Sequence, residues 1–196
     1  MKMTSVYLKI SDIKYTFVGE DGIDKNNECV LYGTSQKIMM NYKRSHHSSV
    51  GLNSSMLWIM GGNRTEFVTT EMAVNGPTLP EPVYWHCSVL FPGNGNVYLI
   101  GGRVGNLGKR STNRVWVVNP SNKFTFAQGP SLITARHEHS CGTMSIGTKS
   151  IIVAAGGRNA NKLPEISKNP FAFDSQHFLA SVEILDPLSN KWVAGR

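Results

Sequence analysis

The chain has 196 residues, 40% of them apolar and 17% charged, with a net charge of +7. That length supports one full core or two small ones, and the apolar share excludes a disordered chain. No apolar run approaches the roughly 20 residues of a membrane-spanning helix, so no membrane span is expected.

Residues 1–42 read as strands at Val6–Ile10, Tyr15–Val18, Cys29–Tyr32 and Lys37–Tyr42. Asp21-Gly22 and Asp24 to Asn27 carry turn chemistry between them. The first eight residues hold no sustained apolar core and no small-residue cleavage site, so no signal peptide is expected. From residue 43 the chain repeats. Apolar strands end in a glycine pair three times: Leu57–Met60 before Gly61-Gly62, Val97–Ile100 before Gly101-Gly102, and Ile151–Ala155 before Gly156-Gly157. A histidine motif precedes each: His47-Ser48-Ser49-Val50, His86-Cys87-Ser88-Val89 and His139-Ser140-Cys141-Gly142. The spacing from histidine to first glycine is 14, 15 and 17 residues.

Two further echoes complete the unit. Val115–Val118, Asn119-Pro120 and Asn122-Lys123-Phe124 match Val182–Leu185, Asp186-Pro187 and Asn190-Lys191-Trp192. Each is a β-branched run followed by a turn and an aromatic strand. Gly76-Pro77-Thr78-Leu79 and Gly129-Pro130-Ser131-Leu132 each lead into the next histidine motif. A fixed order of elements at this period marks a repeat architecture. Four strands per unit are the blades of a β-propeller.

The diglycines, the later aromatic, and the basic residue and His at Arg136-His137 to His139 resemble the kelch repeat over roughly residues 43–196. The resemblance implies an all-β chain of four-stranded antiparallel blades at about 43–80, 81–132 and 133–196. Residues 1–42 are then a degenerate or partial blade or linker, with Cys29–Tyr42 as its outer strands. In the 43–80 blade no Asn-Lys-Trp segment follows Thr65–Thr70, so its outer strand is unassigned. Three clear blades fall short of the usual closed ring. The chain is therefore expected to be a piece of a larger propeller, an incomplete and open ring whose edges favour self-association.

A glycine pair also occurs in phosphate-cradling loops, but those need a helix start directly after it. Arg103-Val104-Gly105 and Arg158-Asn159-Ala160 follow here, without helical periodicity. Gly61, Gly62, Gly101, Gly102, Gly156 and Gly157 are read as structural. Trp58, Trp116 and Trp192 recur with the repeat and are expected as core anchors. The tract Arg158 to His177, with Pro164 and Pro170, is expected as an irregular insertion.

Cys29, Cys87 and Cys141 are odd in number and widely spaced. They read as free, buried thiols, which slightly favours a reducing, cytoplasmic compartment. Two sequons, Asn53-Ser54-Ser55 and Asn63-Arg64-Thr65, point the other way, to a secreted or surface adhesion propeller.

Chemistry has little support. His137-Glu138-His139 places two imidazoles at i and i+2, one face of a strand, where both would reach one metal ion. A site needs a third ligand, for which His86 and His47, the equivalents of His139, are the candidates, but the histidine recurs with the structural motif and is better explained as a blade-interface residue. Tyr84, His86 and Cys87 resemble part of the site of copper oxidases with kelch-like propellers, which use a Cys–Tyr cross-link. That is the alternative to a non-catalytic module. No enzyme activity, cofactor or metal is expected.

Charge is unevenly placed. Between Pro82 and His137 there is no Asp or Glu, while Arg103, Lys109, Arg110 and Arg114 cluster in one loop beside Gly105 and Gly108. This loop reads as a docking site for an acidic protein partner. It lacks interleaved aromatics, so nucleic acid is not expected. Tyr84 and Trp85, in the connection into the 81–132 blade, are expected as exposed binding aromatics.

Overall fold

The computed structural model describes residues 8–10, 13–17, 26–32, 37–44, 46–53, 56–61, 64–68, 73–105, 110–162 and 178–195. The chain forms two compact units, Met1–Pro82 and Val83–Arg196. Among the described residues there is no α-helix, and one 3-10 turn spans Ala160–Lys162.

The first unit holds two antiparallel sheets of four consecutive strands. One comprises β1 (Leu8–Ile10), β2 (Ile13–Phe17), β3 (Asn26–Tyr32) and β4 (Lys37–Arg44). The other comprises β5 (Ser48–Asn53), β6 (Met56–Gly61), β7 (Arg64–Val68) and β8 (Ala73–Asn75). The four strands read from sequence in residues 1–42 thus share one sheet, of which only Cys29–Tyr42 is assigned to a blade from sequence. The outer strand left unassigned after Thr65–Thr70 is the short β8. Leu57, Trp58, Ile59 and Met60 of β6 are all buried, as a strand covered on both faces requires.

The second unit repeats the pattern. Its first sheet has β9 (Cys87–Leu90), β10 (Val97–Ile100), β13 (Val115–Asn119) and β14 (Thr125–Gln128), with β9 innermost. Between β10 and β13 the chain makes a small hairpin, β11 (Arg103–Val104) with β12 (Arg110–Ser111). Its second sheet has β15 (Ser140–Ile146), β16 (Lys149–Ala155), β17 (Val182–Asp186) and β18 (Lys191–Ala194). The core between these sheets joins Val89, Tyr98, Ile100 and Val115 to Ile152, Ala154, Leu185 and Trp192, with Leu132 from the linker.

The glycines meet the histidine motifs. A Cβ on Gly102 would lie 2.8 Å from the Tyr84 carbonyl oxygen and 2.9 Å from His86 Cβ. One on Gly157 would lie 2.5 Å from the His137 oxygen and 2.8 Å from His139 Cβ. Both also have positive φ, 109° and 89°. Only glycine fits such a backbone at such a distance. Gly61 likewise faces His47 Cβ at 3.0 Å; Gly62 lies outside the described residues.

Three sequence expectations need correction. Cys87 and Cys141 are not free thiols: they form a disulfide between β9 and β15, the inner strands of neighbouring sheets. The aromatic equivalent of Trp192 is Phe126, not Phe124. Trp192 pairs with Leu185 and Phe126 pairs with Val118, because the turn after Asn119 is one residue longer than the turn after Asp186. Trp58 and Trp192 are buried, but Trp116 is only half-buried. Of the expected irregular tract from Arg158, residues 163–177 lie outside the described residues.

The disulfide closes a loop of sequence separation 54. Loop-closure entropy then stabilises the fold by about 4 kcal/mol. The Cys87→Ser, Cys141→Ser double variant is expected to unfold at lower urea concentration by that order. Reduction of the wild-type chain should reproduce the shift. An unchanged urea midpoint on reduction would contradict it.

Candidate functional site

The chemistry-bearing residues of the second unit gather where the histidine motifs begin. The chain enters each inner strand through a residue with left-handed backbone: His46 (φ 54°), Trp85 (φ 52°) and Glu138 (φ 53°), each just before its histidine. Such a conformation is uncommon for non-glycine residues. Here it turns the chain sharply into the strand. His47, His86 and His139 are consequently buried.

This geometry separates the two histidines expected to share a face. Glu138 breaks the strand, so His137 and His139 do not alternate along one. His137 bridges to Arg158, while β15 begins only at Ser140. Among the described residues no group of three His, Cys, Asp or Glu is placed to hold a metal ion. The sulfur of Cys87 is bonded to Cys141, so the expected comparison with a Cys–Tyr cross-link fails at this residue.

Instead His137 is the centre of a hydrogen-bonded node. Its Nδ1 lies 2.9 Å from Ser111 Oγ. That hydroxyl also accepts from Ala160 N at 2.8 Å, and the imidazole tautomer sets which of Ser111 Oγ and His137 Nδ1 donates to the other. Burial, followed by the charge of Arg103, lowers the His137 pKa to about 4, and the ring is neutral at pH 7. Ser111 N donates to Asn161 Oδ1 at 3.0 Å, and Asn161 Nδ2 donates to Ser111 O at 2.8 Å. Every polar group of Ser111 is therefore engaged. The pair resembles a nucleophile and its base, but both members are buried, at 5% and 4% exposure.

Around the node lie the charges. Arg103 is not on a free loop. Its backbone pairs with Tyr84, N to O at 2.7 Å and 3.0 Å in the two directions. Its guanidinium stacks over the Trp85 ring at 5.3 Å. Burial lowers the Arg103 pKa, and Glu138 partly offsets this; the group stays charged. Trp85 is half-buried rather than an exposed anchor, and its ring lies 6.1 Å from that of His137. Tyr84 is half-buried too. Arg158 pairs with Glu138 at 3.3 Å and stacks on the exposed ring of Phe178 at 4.6 Å.

Of the four basic residues read from sequence, Arg103, Arg110 and Arg114 fall in the β10–β13 excursion. Arg110 and Arg114 are exposed. Lys109 lies outside the described residues. The sequence reading missed Ser111, Arg158 and Asn161. No local pattern marks them, since they meet only when two blades stand side by side.

No family model and no curated protein matches the chain. Among solved structures it is similar to that of YjhT, a kelch-repeat propeller protein, with a TM-score of 0.60 at 17% identity. The likeness covers 80% of this chain and 52% of that one, so the chain spans about half the length of the structure it matches. At this identity the match establishes a fold: an all-β chain of kelch-type propeller blades.

Burial has a pH consequence. It lowers the His139 pKa to about 3, with Arg136 and then His86 and His137 adding to the effect. The unfolded chain takes up a proton near pH 6.5 that the fold refuses. Stability from this group is thus fully present above pH 6.5 and is lost as pH falls toward 3. Thermal unfolding midpoints should be flat above pH 6.5 and decline steadily below it. His139→Gln should flatten that decline; an equal slope in wild type and variant would refute the assignment.

Proposed function

We propose that this chain is a non-catalytic kelch-type interaction module that binds an acidic protein segment at the face carrying Arg103, Arg110 and Arg114. The stacking of Arg103 on Trp85 carries this reading. The ring supports a charged guanidinium in a half-buried position, and the cation–π contact contributes about 1 kcal/mol. A cation held in advance loses little freedom on binding. The tract from Pro82 to His137 has no acidic residue, and Glu138, the nearby carboxylate that acts on Arg103, is also paired with Arg158. The Ser111–His137 pair is closed to a substrate by burial, which favours binding over catalysis.

The test uses a labelled oligo-glutamate peptide and the intact chain. Wild type should bind at low salt and weaken as salt rises, since exposed charges are screened over about 8 Å at physiological ionic strength. Replacing Arg103, Lys109, Arg110 and Arg114 with alanine should weaken low-salt binding about tenfold, with unchanged circular dichroism. Equal binding by wild type and the folded variant would retire the basic face.

A second reading concerns where the module works. The Cys87–Cys141 disulfide favours an oxidising compartment, against the expectation drawn from free thiols. This supports the secreted or surface propeller. Asn53 of the first sequon is exposed at the end of β5. Protein made through a eukaryotic secretory pathway should then lose mass on treatment with peptide N-glycosidase, and Asn53→Gln should reduce that loss. Wild-type protein that is unmodified after secretion would contradict the glycan.

A further inference from the structure

The two blades of the second unit carry an arginine at the same place. Arg103 follows Gly101-Gly102, and Arg158 follows Gly156-Gly157. Each exchanges two backbone hydrogen bonds with the residue two before a blade histidine. Arg103 does so with Tyr84, at 2.7 and 3.0 Å, and Arg158 with His137, at 2.8 and 2.9 Å. Each guanidinium also lies over an aromatic ring, Arg103 over Trp85 at 5.3 Å and Arg158 over Phe178 at 4.6 Å. A bond from Glu138 N to Trp85 O at 3.0 Å joins the two entry segments. The repeat thus sets two ring-backed cations on adjacent blades.

One carboxylate serves both. Glu138 Oε2 lies 3.3 Å from Arg158 Nε, and both side chains reach solvent, at 25% and 30% exposure. Burial lowers the Arg103 pKa, and the same Glu138 carboxylate opposes this through space. Arg103 itself forms no ion pair among the described residues, and its buried Nε has no hydrogen-bond partner there. Burial, then the charges of Arg103 and Arg158, lower the His137 pKa against Glu138, so the ring between these groups is neutral at pH 7. Two cations, one carboxylate and a neutral ring leave one positive charge over.

We infer that Glu138 is a built-in stand-in for a ligand carboxylate, and that an acidic side chain of the bound segment replaces it on Arg158 and completes the pairing of Arg103. This rests on the acidic-segment reading and extends it to a second blade. The Glu138–Arg158 contact is solvent-exposed and single, so it is weak and exchanges easily. A ligand carboxylate gains more. It meets two guanidiniums already ordered by their rings, and one of them is a half-buried cation with unmet donors. Glu138 repels that carboxylate as it enters, because like charges sharing a site disfavour each other. Glu138 therefore holds the arginines in place and lowers their affinity at once.

The test uses the labelled oligo-glutamate peptide and the intact chain at low salt. Glu138→Gln removes the competing charge at nearly constant shape and should tighten binding at least about threefold, while Arg158→Ala should weaken it by a similar factor. Asp186→Asn is the control for net charge. It too removes one negative charge, but at the far end of β17, where Asp186 pairs with Lys149, and it should bind as wild type does. Far-UV circular dichroism should be that of wild type in all three. Binding that the quadruple alanine variant loses, but that Glu138→Gln and Arg158→Ala leave unchanged, would overturn this inference and spare the basic face. Equal tightening by Glu138→Gln and Asp186→Asn would also overturn it, since the charge of the whole chain would then be the cause. Absence of binding by both wild type and Glu138→Gln would overturn both readings. If Arg158→Ala fails to fold, Glu138→Gln decides, because damage to the fold does not tighten binding.

Discussion

The second unit is organised by one buried ion pair. Arg136 is fully buried, and its Nη2 lies 2.7 Å from Glu183 Oε1. Desolvating two charges costs several kcal/mol each and is offset only when their remaining hydrogen-bonding positions are filled. Here they nearly are. Arg136 donates to the carbonyls of Gly156 and Ser181 and to Ser181 Oγ. Glu183 accepts from Ile133 N at 2.6 Å and Thr134 N at 3.0 Å. Arg136 Nε alone has no partner among the described residues. The pair therefore fixes three things at once: the path of the linker between the sheets, the diglycine at the end of β16, and the third strand of the blade. Trp192 adds a fourth tie by donating from Nε1 to Pro130 O. Removing one charge would strand the other, at a cost of about 3–5 kcal/mol.

The same position is not ionic in the preceding blade. By register, Trp116 stands where Glu183 does, and Val83 precedes its histidine as Arg136 precedes His139. The repeat thus conserves a geometry between its own copies while changing the chemistry that holds it. The residue before each histidine behaves likewise. Its backbone is left-handed in all three motifs, yet the residues are His46, Trp85 and Glu138. A position constrained in backbone and unconstrained in side chain is where a repeat acquires individuality. In the second unit those two positions hold the ring under Arg103 and the carboxylate beside Arg158.

This division explains what could be read from sequence. The diglycines and the histidines were legible because backbone sterics leave no alternative there: Gly157 has no room for a Cβ beside His137 and His139. Trp192 was legible as a core residue, whereas its equivalent in the preceding blade, Phe126, was hidden by a one-residue difference in turn length. Glu183 was not legible as an ion-pair member. It is one carboxylate in an apolar strand, 47 residues from Arg136. The disulfide was obscured for a related reason. Cys87 aligns with Ser140 of the next blade, and Cys141 with Ser88, so the two thiols are one register step apart and meet only across adjacent inner strands. Contacts within a blade follow from pattern. Contacts between blades need the packing.

The basic hairpin proposed for binding depends on those inter-blade contacts. The β11–β12 hairpin has only two residue pairs, too few to hold itself in place. It is held from outside. At one end Arg103 is bonded through its backbone to Tyr84. At the other, Ser111 is gripped by Ala160 and Asn161 of the next blade and by His137 of the linker. Arg103 and Arg110 are therefore carried on anchored backbone, although Arg110 itself is exposed. The linker that the buried ion pair fixes also supplies His137, and so the packing of two blades sets the spacing of the cations. A charged surface built this way pays its ordering entropy during folding, before any partner arrives, and that is the physical link between the repeat's interior and its proposed use.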